Sequence, residues 1–450
     1  MGIEKFDTVI LGGGNAAMGV TIATRAAGMS VALIEDRDLG GTCPNRGCTP
    51  KKILVAAAQA LDAIARAKTH GIEVGTPRLD WAALIAREKM MIKPIPERLG
   101  KSLADRGVEV IRGRAAFAAP DAVKVGGRVL EAKNIVIATG SRPRTLPMPG
   151  AEHMITSDEV LSDATLPRSV VFIGGGVIAL EFSHVYVRAG VKVTILEALP
   201  RLLSTVDADA VDRIRMESER LGIAIRTGVA VRRIEPAREG FRVVYDEGGI
   251  ERSIEAERVV NGAGRVANVD ALDLEAGDVK HDGFRLEIDP TLRSVSNRMV
   301  HACGDVLWNT PQLSPVATYE GQIVGRNIVE GPRHRPDYAS IPACVYTIPA
   351  LASVGLTEAK ARENGGKVRV QTTDMADWIS TRTYAESVAW AKVIIDAASD
   401  RILGAHLVGH SSEELINLFA LAMQHGITAA ALHRRVYGYP TFSSDIKYLL

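Results

Sequence analysis

One pattern occurs twice in this chain of 450 residues and limits its fold more than any other feature. Asp7-Thr-Val-Ile-Leu11 is a short apolar run that ends in Gly12-Gly13-Gly14-Asn15-Ala16-Ala17. A helix-compatible stretch continues to about Ala27, followed by Ser30-Val-Ala-Leu-Ile34 and Glu35. Strand, glycine turn, helix, strand and acid make the G-x-G-x-x-A form of a dinucleotide-binding unit. Gly12 permits the tight turn, Gly14 lets a pyrophosphate approach the backbone, and Ala17 allows close helix–strand packing. The free N–H groups at the helix start, with the helix dipole, hold the anion. Glu35 lies 21 residues after Gly14, where an acid binds a ribose hydroxyl pair. A bare glycine triplet is often only a turn, but both strands and the acid are in register here.

The second copy runs from Ser169-Val-Val-Phe-Ile173 into Gly174-Gly175-Gly176-Val177-Ile178-Ala179. A helical stretch follows to about Ala189, then Val191–Leu196 and Glu197. Two copies imply two nucleotides, which suits electron transfer between them. Glu197 is placed to accept from the 2′-hydroxyl of NAD and to repel the 2′-phosphate of NADP. Arg201, four residues on, carries a charge able in principle to reach a phosphate, so NADH is expected and NADPH stays possible.

Gly40-Gly-Thr-Cys43-Pro-Asn-Arg-Gly-Cys48-Thr-Pro-Lys51 follows the first unit directly. Two of the four cysteines sit five positions apart. In a regular helix that is a rise of about 7.5 Å, beyond the ~4.4–6.8 Å usual between the α-carbons of a disulfide. Pro44 and Gly47 predict an irregular, tightened turn that closes the gap. A thiol at a helix start has its thiolate stabilised by the dipole and is reactive near neutral pH. The bland alternative is a pair of small buried residues. A zinc site is disfavoured because no second Cys/His pair lies nearby.

At this point the sequence resembles the class I pyridine nucleotide–disulfide oxidoreductases, a family that includes glutathione reductase, dihydrolipoamide dehydrogenase and mercuric reductase. The resemblance implies an α/β chain with two Rossmann-like domains, for FAD and NAD(P), and a C-terminal α+β dimerisation domain. Its segments would be 1–148 (FAD, first), 149–267 (NAD(P)), 268–335 (FAD, second) and 336–450 (interface). Gly12, Gly14, Ala17, Glu35 and Thr42 would then serve FAD, and Gly174, Gly176, Ala179 and Glu197 the nicotinamide nucleotide. Cys48 would be the thiol against the flavin, a charge-transfer thiolate when reduced, and Cys43 the outer thiol that attacks substrate. Lys51 would pair with Glu181 beside the flavin's reactive nitrogen; the bland reading of Glu181 is a solvated first-turn acid. Ile135-Val-Ile-Ala-Thr139-Gly140 resembles the strand closing the first FAD segment, and Gly262-Ala-Gly264-Arg265 the end of the nicotinamide domain. His301-Ala-Cys303-Gly304-Asp305 resembles the second FAD segment, whose aspartate takes the ribityl chain. Leu313-Ser-Pro-Val-Ala317 resembles the helix start beneath the flavin's pyrimidine end. Cys303 and Cys344 are expected to be core residues.

From about Arg335 the patterning changes to strands followed by helices. Pro342–Tyr346 and Val354-Gly355 read as strands, and Trp390–Ile395 is expected to pair with Ile402–Val408 across Asp400. Ser411-x-x-Glu414 reads as a capping box opening an apolar helix through Met423, ended by Gly426. By the resemblance, the last segment of this domain completes the partner subunit's active site. There the pattern departs: the common His-Pro-Thr with a later Glu is Tyr439-Pro-Thr-Phe-Ser-Ser444, without the proton-relay dyad. A tyrosine, with an ordinary pKa of ~10, donates far less readily near pH 7 than histidine at ~6.5. His433, in the preceding helix, would substitute for the missing histidine only by an unexpected geometry. The chain also ends Tyr448-Leu-Leu450 without the vicinal cysteines of mercuric reductases.

Composition narrows the rest. Lys+Arg 54 against Asp+Glu 53 leaves a net charge of +1, which argues against a nucleic-acid groove or an anionic-membrane anchor. No apolar stretch approaches the ~18–20 residues of a membrane span. Four cysteines are no secreted disulfide framework, so a reducing cytoplasm is the expected compartment. The expected function is a homodimeric FAD enzyme passing electrons from NADH through flavin to the Cys43–Cys48 disulfide and on to an acceptor. A dihydrolipoamide-like acceptor ranks first, ahead of glutathione disulfide and of a metal ion or quinone. The alternative of another class is a flavin-bound redox sensor or partner-binding protein with little turnover, which the missing dyad favours.

Overall fold

In the computed structural model, which describes residues 2–450, the apolar runs flanking both glycine triplets are strands paired in parallel. Ile3–Leu11 pairs with Val31–Glu35 in the register Thr8 to Val31 through Leu11 to Ile34. Ser169–Ile173 pairs with Lys192–Glu197, Ser169 opposite Lys192 and Ile173 opposite Leu196. Val9, Ile10 and Leu11 are all buried, as is every residue of Val31–Glu35. Such runs without alternation belong to strands covered on both faces.

The chain forms two units. The first comprises residues 2–51, 86–144 and 264–338. Its seven-stranded sheet has the order Val108–Arg112, Val31–Glu35, Ile3–Leu11, Arg128–Ile137, Ala122–Val125, Ala115–Ala119, with Val300–Ala302 as the seventh strand beside Arg128–Ile137. Arg128–Ile137 is long enough to serve two neighbours on one edge. Its first residues pair antiparallel with Ala122–Val125, and its last three pair parallel with Val300–Ala302. In this way a segment nearly 300 residues from the N-terminus enters the first nucleotide-type sheet. The helices Asn15–Ala26 and Ser314–Glu330 pack at backbone distance. A Cβ on Gly19 would lie 2.3 Å from the Thr318 carbonyl oxygen, and one on Gly321 2.0 Å from that of Ala16. No larger residue fits that seam.

The second unit comprises residues 52–85, 145–263 and 339–450. It holds a parallel sheet in the order Ala224–Thr227, Lys192–Glu197, Ser169–Ile173, Arg258–Asn261. An antiparallel meander, Ala230–Ala237, Gly240–Glu247 and Ile250–Ala256, accompanies it. The third sheet is the expected C-terminal one, ordered Ala343–Val345, Ala350–Gly355, Ile402–Gly409, Trp390–Asp396, Val368–Asp374 and antiparallel throughout. The expected pairing across Asp400 is present, with Asp400 itself in the turn.

One local expectation is corrected. Helix Ser412–Gln424 starts and stops where the pattern predicts, and Gly426 takes the left-handed conformation after it. Ser411, however, is itself left-handed (φ 58°) and its hydroxyl caps nothing, so no capping box forms. An N-cap side chain reaches the N–H groups ahead of it from an extended backbone, and the strand exit at Gly409 forces a tighter turn. Among the described residues no helix is long and apolar enough to cross a membrane.

Candidate functional site

In the first unit the glycine turn is closed by the strand beside it. Gly12 sits at φ 100°, and a Cβ there would lie 2.4 Å from the Ala138 carbonyl oxygen. Its N–H donates to the Ile34 carbonyl at 2.8 Å. Gly14 caps the helix Asn15–Ala26 with no side-chain acceptor on the helix N–H groups, and Ala17 is fully buried. Glu35 reaches back from the end of the second strand: one carboxylate oxygen accepts the Gly13 N–H and the other the Arg37 N–H, each at 2.7 Å.

Residues 40 and 41 lie on this turn, with Gly40 donating to the Gly13 carbonyl at 2.8 Å. They deliver Thr42 and Cys43 beside the first helix. The cysteine segment is not one regular helix, as expected: Thr42–Arg46 and Cys48–Arg66 are separate pieces broken at Gly47. Asn45 secures the first piece by donating to the Leu39 and Gly41 carbonyls at 3.0 Å. The break at Gly47 sets the Cys48 thiol beside that of Cys43; Cys43 is half-buried and Cys48 exposed. Hydrogen bonding to Cys48 is the largest influence on Cys43 and lowers its pKa to about 6. Burial opposes this, the Ser314 hydroxyl and the Cys48 backbone support it, and the Asp305 carboxylate opposes it. The pair therefore carries one thiolate near neutral pH. Lys51 lies in the next turn and is buried.

The same unit brings in Gly304, Asp305, Ser314 and Ala317. The Gly304 N–H donates to Glu320 Oε2 at 2.6 Å, and Tyr338 OH donates to Oε1 at 2.7 Å. Burial pushes the Asp305 carboxyl up, while Arg265 and the Ser141 hydroxyl pull it back. Arg265 Nε donates to Ser141 Oγ at 2.9 Å, and the Gly264 carbonyl accepts the Arg144 N–H at 3.0 Å. Thr139 Oγ1 is buried without a hydrogen-bond partner, next to Gly140 at φ 68°. Cys303 is buried in the core, where burial pushes its thiol up, and Cys344 packs half-buried on the C-terminal core.

The second unit repeats the glycine geometry. Gly174 sits at φ 105°, with the Gly262 carbonyl oxygen 2.4 Å from a built Cβ. Gly176 caps the helix Val177–Arg188, and Ala179 is fully buried. Glu197 accepts the Gly175 N–H on one oxygen and the Leu199 N–H on the other, at 2.6 Å. Arg201 is occupied: it donates to the Val206 carbonyl at 2.9 Å and to that of Ser204. Glu181 is no solvated acid. It is 4% exposed and accepts the Tyr346 N–H at 2.8 Å.

In the C-terminal segment Tyr439 is 78% exposed. Ser444 is buried, and its hydroxyl donates to the Thr441 carbonyl at 2.6 Å. His433 bonds the Lys447 carbonyl through Nδ1 at 2.6 Å. A histidine–carboxylate pair does exist in this unit, at a place no sequence motif marks. His410 Nδ1 lies 3.0 Å from Glu386, and its ring stacks on Tyr384 and Phe442 at 5.0 Å each. Glu386 is held in turn by Arg66 at 2.7 Å. Its members come from positions 66, 384, 386, 410 and 442, so no local spacing marks it. Glu320 and Asn15 are unmarked for the same reason.

Two nucleotide-type turns, with a thiol–thiolate pair lying on the first, define a flavin- and nicotinamide-dependent disulfide oxidoreductase. Residues 6–321 match the family described as pyridine nucleotide-disulphide oxidoreductase, and residues 341–450 match its dimerisation domain. The chain belongs to this family, the class I pyridine nucleotide–disulfide oxidoreductases, and is an FAD-dependent enzyme whose cofactors are FAD and NAD(P)H. It is 31% identical to a dihydrolipoyl dehydrogenase of Chlorobaculum tepidum, over 98% of this chain and 96% of that one. It is likewise 31% identical to a glutathione reductase of Burkholderia cepacia, over 98% and 97%. Among solved structures it resembles a Cu(II) complex of the HOCl-induced flavoprotein disulfide reductase RclA of Escherichia coli, with TM-score 0.88, 27% identity and 99% of both chains covered. The first unit suits FAD on its own geometry. The Gly12–Gly14 backbone admits no Cβ at its tightest point, the helix behind it has uncapped N–H groups, and Thr139 holds an unpartnered buried hydroxyl.

Proposed function

We propose that this enzyme oxidises NADH and reduces a small dithiol-type disulfide of the dihydrolipoamide class, working as a homodimer in a reducing, cytoplasmic compartment. The observation that carries the reading is the Cys43–Cys48 pair, set together by the helix break at Gly47 next to the first glycine turn. We assign 1–148 and 268–335 to FAD binding, 149–267 to the nicotinamide nucleotide and 336–450 to the dimer interface. Gly12, Gly14, Ala17, Glu35, Thr42, Thr139, Gly140, Gly304, Asp305 and Ala317 would hold FAD. Gly174, Gly176, Ala179, Glu197, Gly264 and Arg265 would hold the nicotinamide nucleotide. FAD, when bound, relays two electrons from the nicotinamide to the disulfide.

In the proposed sequence the Cys43 thiolate attacks one sulfur of the acceptor disulfide. The acceptor's S–S bond breaks, a mixed disulfide forms, and the departing thiolate takes up a proton. Cys48 then attacks Cys43, which releases the second acceptor thiol and restores the Cys43–Cys48 disulfide. Lys51 would carry the positive charge that favours the reduced flavin. Tyr439 is assigned to proton supply at the C-terminal segment.

NADH is preferred over NADPH because Glu197 would meet the ribose hydroxyls while Arg201 is engaged by the carbonyls of Ser204 and Val206. A second reading, a redox sensor with slow turnover, is favoured by Ser444, whose hydroxyl is engaged by its own backbone and leaves Tyr439 without an acid–base partner there. Anaerobic steady-state NADH oxidation with lipoamide near pH 7 decides. Fast turnover supports the dehydrogenase-like reading; flavin reduction without lipoamide turnover supports the sensor.

A further inference from the structure

Glu320 lies within the helix Ser314–Glu330 and is fully buried, yet among the described residues no lysine, arginine or histidine pairs with it. A carboxylate taken out of water without a counter-charge is costly unless hydrogen bonds replace its hydration. Two do so here: the Gly304 N–H donates to Oε2 at 2.6 Å, and the Tyr338 hydroxyl donates to Oε1 at 2.7 Å. Gly304 is left-handed at φ 81°, and a Cβ there would lie 3.0 Å from that of Ala16. Its carbonyl accepts the Leu307 N–H at 2.9 Å, and the Asp305 carbonyl accepts from Gln312 Nε2 at 3.0 Å. Consecutive peptides around Asp305 are thus each tied, and a side chain 16 residues on holds the first of them.

We propose that Glu320 is a positioning residue for FAD: by taking the Gly304 N–H it fixes the turn that presents Asp305, before the cofactor arrives. The proposal rests on the reading that Asp305 holds FAD. A turn that wanders offers a competent site only part of the time, and the apparent affinity falls by that fraction. The role belongs to the place of one oxygen rather than to the charge. Glutamine has the same length and keeps an oxygen for the Gly304 N–H. Its amide N–H then meets Tyr338, whose hydroxyl accepts as readily as it donates. Aspartate keeps the charge but is one methylene shorter, which withdraws the oxygen from Gly304.

The test follows FAD release from the holoenzyme, read as the flavin absorbance the protein retains after timed gel filtration, with thermal unfolding measured alongside. Glu320→Asp should release FAD roughly tenfold faster than the wild type, the scale of one hydrogen bond to a charged group. Glu320→Gln should stay within about twofold of the wild type, because it rebuilds the Gly304 bond. Tyr338→Phe removes the other bond and leaves Gly304 held, so it should lower the unfolding midpoint yet release FAD at the wild-type rate. A merely structural role would make FAD release follow the midpoint in all three variants. Wild-type release from Glu320→Asp, or release from either other variant as fast as from Glu320→Asp, overturns the proposal while leaving Asp305 as a residue that holds FAD. If Glu320→Asp does not fold, amide exchange in the holoenzyme, resolved to Gly304 by mass spectrometry, carries the test. That N–H should be protected in the wild type and in Glu320→Gln alike, and exchange at the rate of an exposed amide in either overturns the proposal. An Asp305→Ala variant that retains FAD as tightly as the wild type overturns the reading of Asp305 and the proposal together.

Discussion

At the scale of single residues, Cys43 and Glu197 differ in how much their surroundings do for them. The Cys43 pKa is set by neighbours at positions 48 and 314, which lower it, against burial and the Asp305 carboxylate, which raise it. Cys43→Ser should leave FAD bound and reducible by NADH, yet abolish disulfide exchange. Stopped-flow flavin reduction beside steady-state turnover checks this, and unchanged turnover would remove Cys43 from its role. Glu197 is oriented by two backbone N–H groups, so its carboxylate stands in one place before any nucleotide arrives. Glu197→Ala should narrow the NADH-over-NADPH preference in kcat/KM by roughly tenfold, the scale of one charge-assisted hydrogen bond. An unaltered ratio would mean that the acid does not meet the ribose.

At the scale of elements, the contact between the helices Asn15–Ala26 and Ser314–Glu330 is the most demanding. Gly321 lies inside a helix, where alanine is ordinarily favoured by about 1 kcal/mol. Here the added methyl would sit 2.0 Å from the Ala16 carbonyl oxygen, so the helices must separate. Gly321→Ala should therefore destabilise the protein by about 1–3 kcal/mol despite its better propensity. It should also loosen flavin retention, since the same seam sets Ser314 beside Asn15. Thermal unfolding followed by flavin fluorescence reads both effects, and an unchanged or raised midpoint would show that the seam has room. The Ser411 turn carries a related lesson: a motif for capping does nothing when the preceding strand dictates the backbone.

At the scale of the whole molecule, three histidines are buried in a neutral state. Burial drives His184 down to about 3, helped by the Arg188 charge, and His301 down to about 4, helped by Arg293. Burial also lowers His406. In the unfolded chain each returns to about 6.5 and binds a proton the folded state refuses. Stability from this source is complete above about pH 6.5 and declines as the pH falls toward the folded values. The slope is about 1.4 kcal/mol per pH unit for each histidine that stays neutral. The unfolding midpoint of the FAD-loaded enzyme should thus fall steadily between pH 7 and pH 5. His184→Gln, which keeps a donor and an acceptor for Ser218 and Ile348 but cannot titrate, should flatten part of that decline. A midpoint independent of pH over that range would contradict the argument.

Features encoded over short distances were legible in the sequence: both strand–turn–helix–strand units, the acids closing them, the broken cysteine turn, the antiparallel C-terminal sheet and the limits of helix Ser412–Gln424. Each depends on backbone sterics and burial period acting within about thirty residues, and the family resemblance rested on the same local motifs. What only the tertiary structure decided is made of long-range partners. It sets Asn15 on Ser314, buries Glu181 against the Tyr346 backbone and joins Arg66 to the Glu386–His410 pair. These pairings are set by how helices and sheets close over each other, and no spacing in a linear chain encodes which distant side chain will fill a given lone pair.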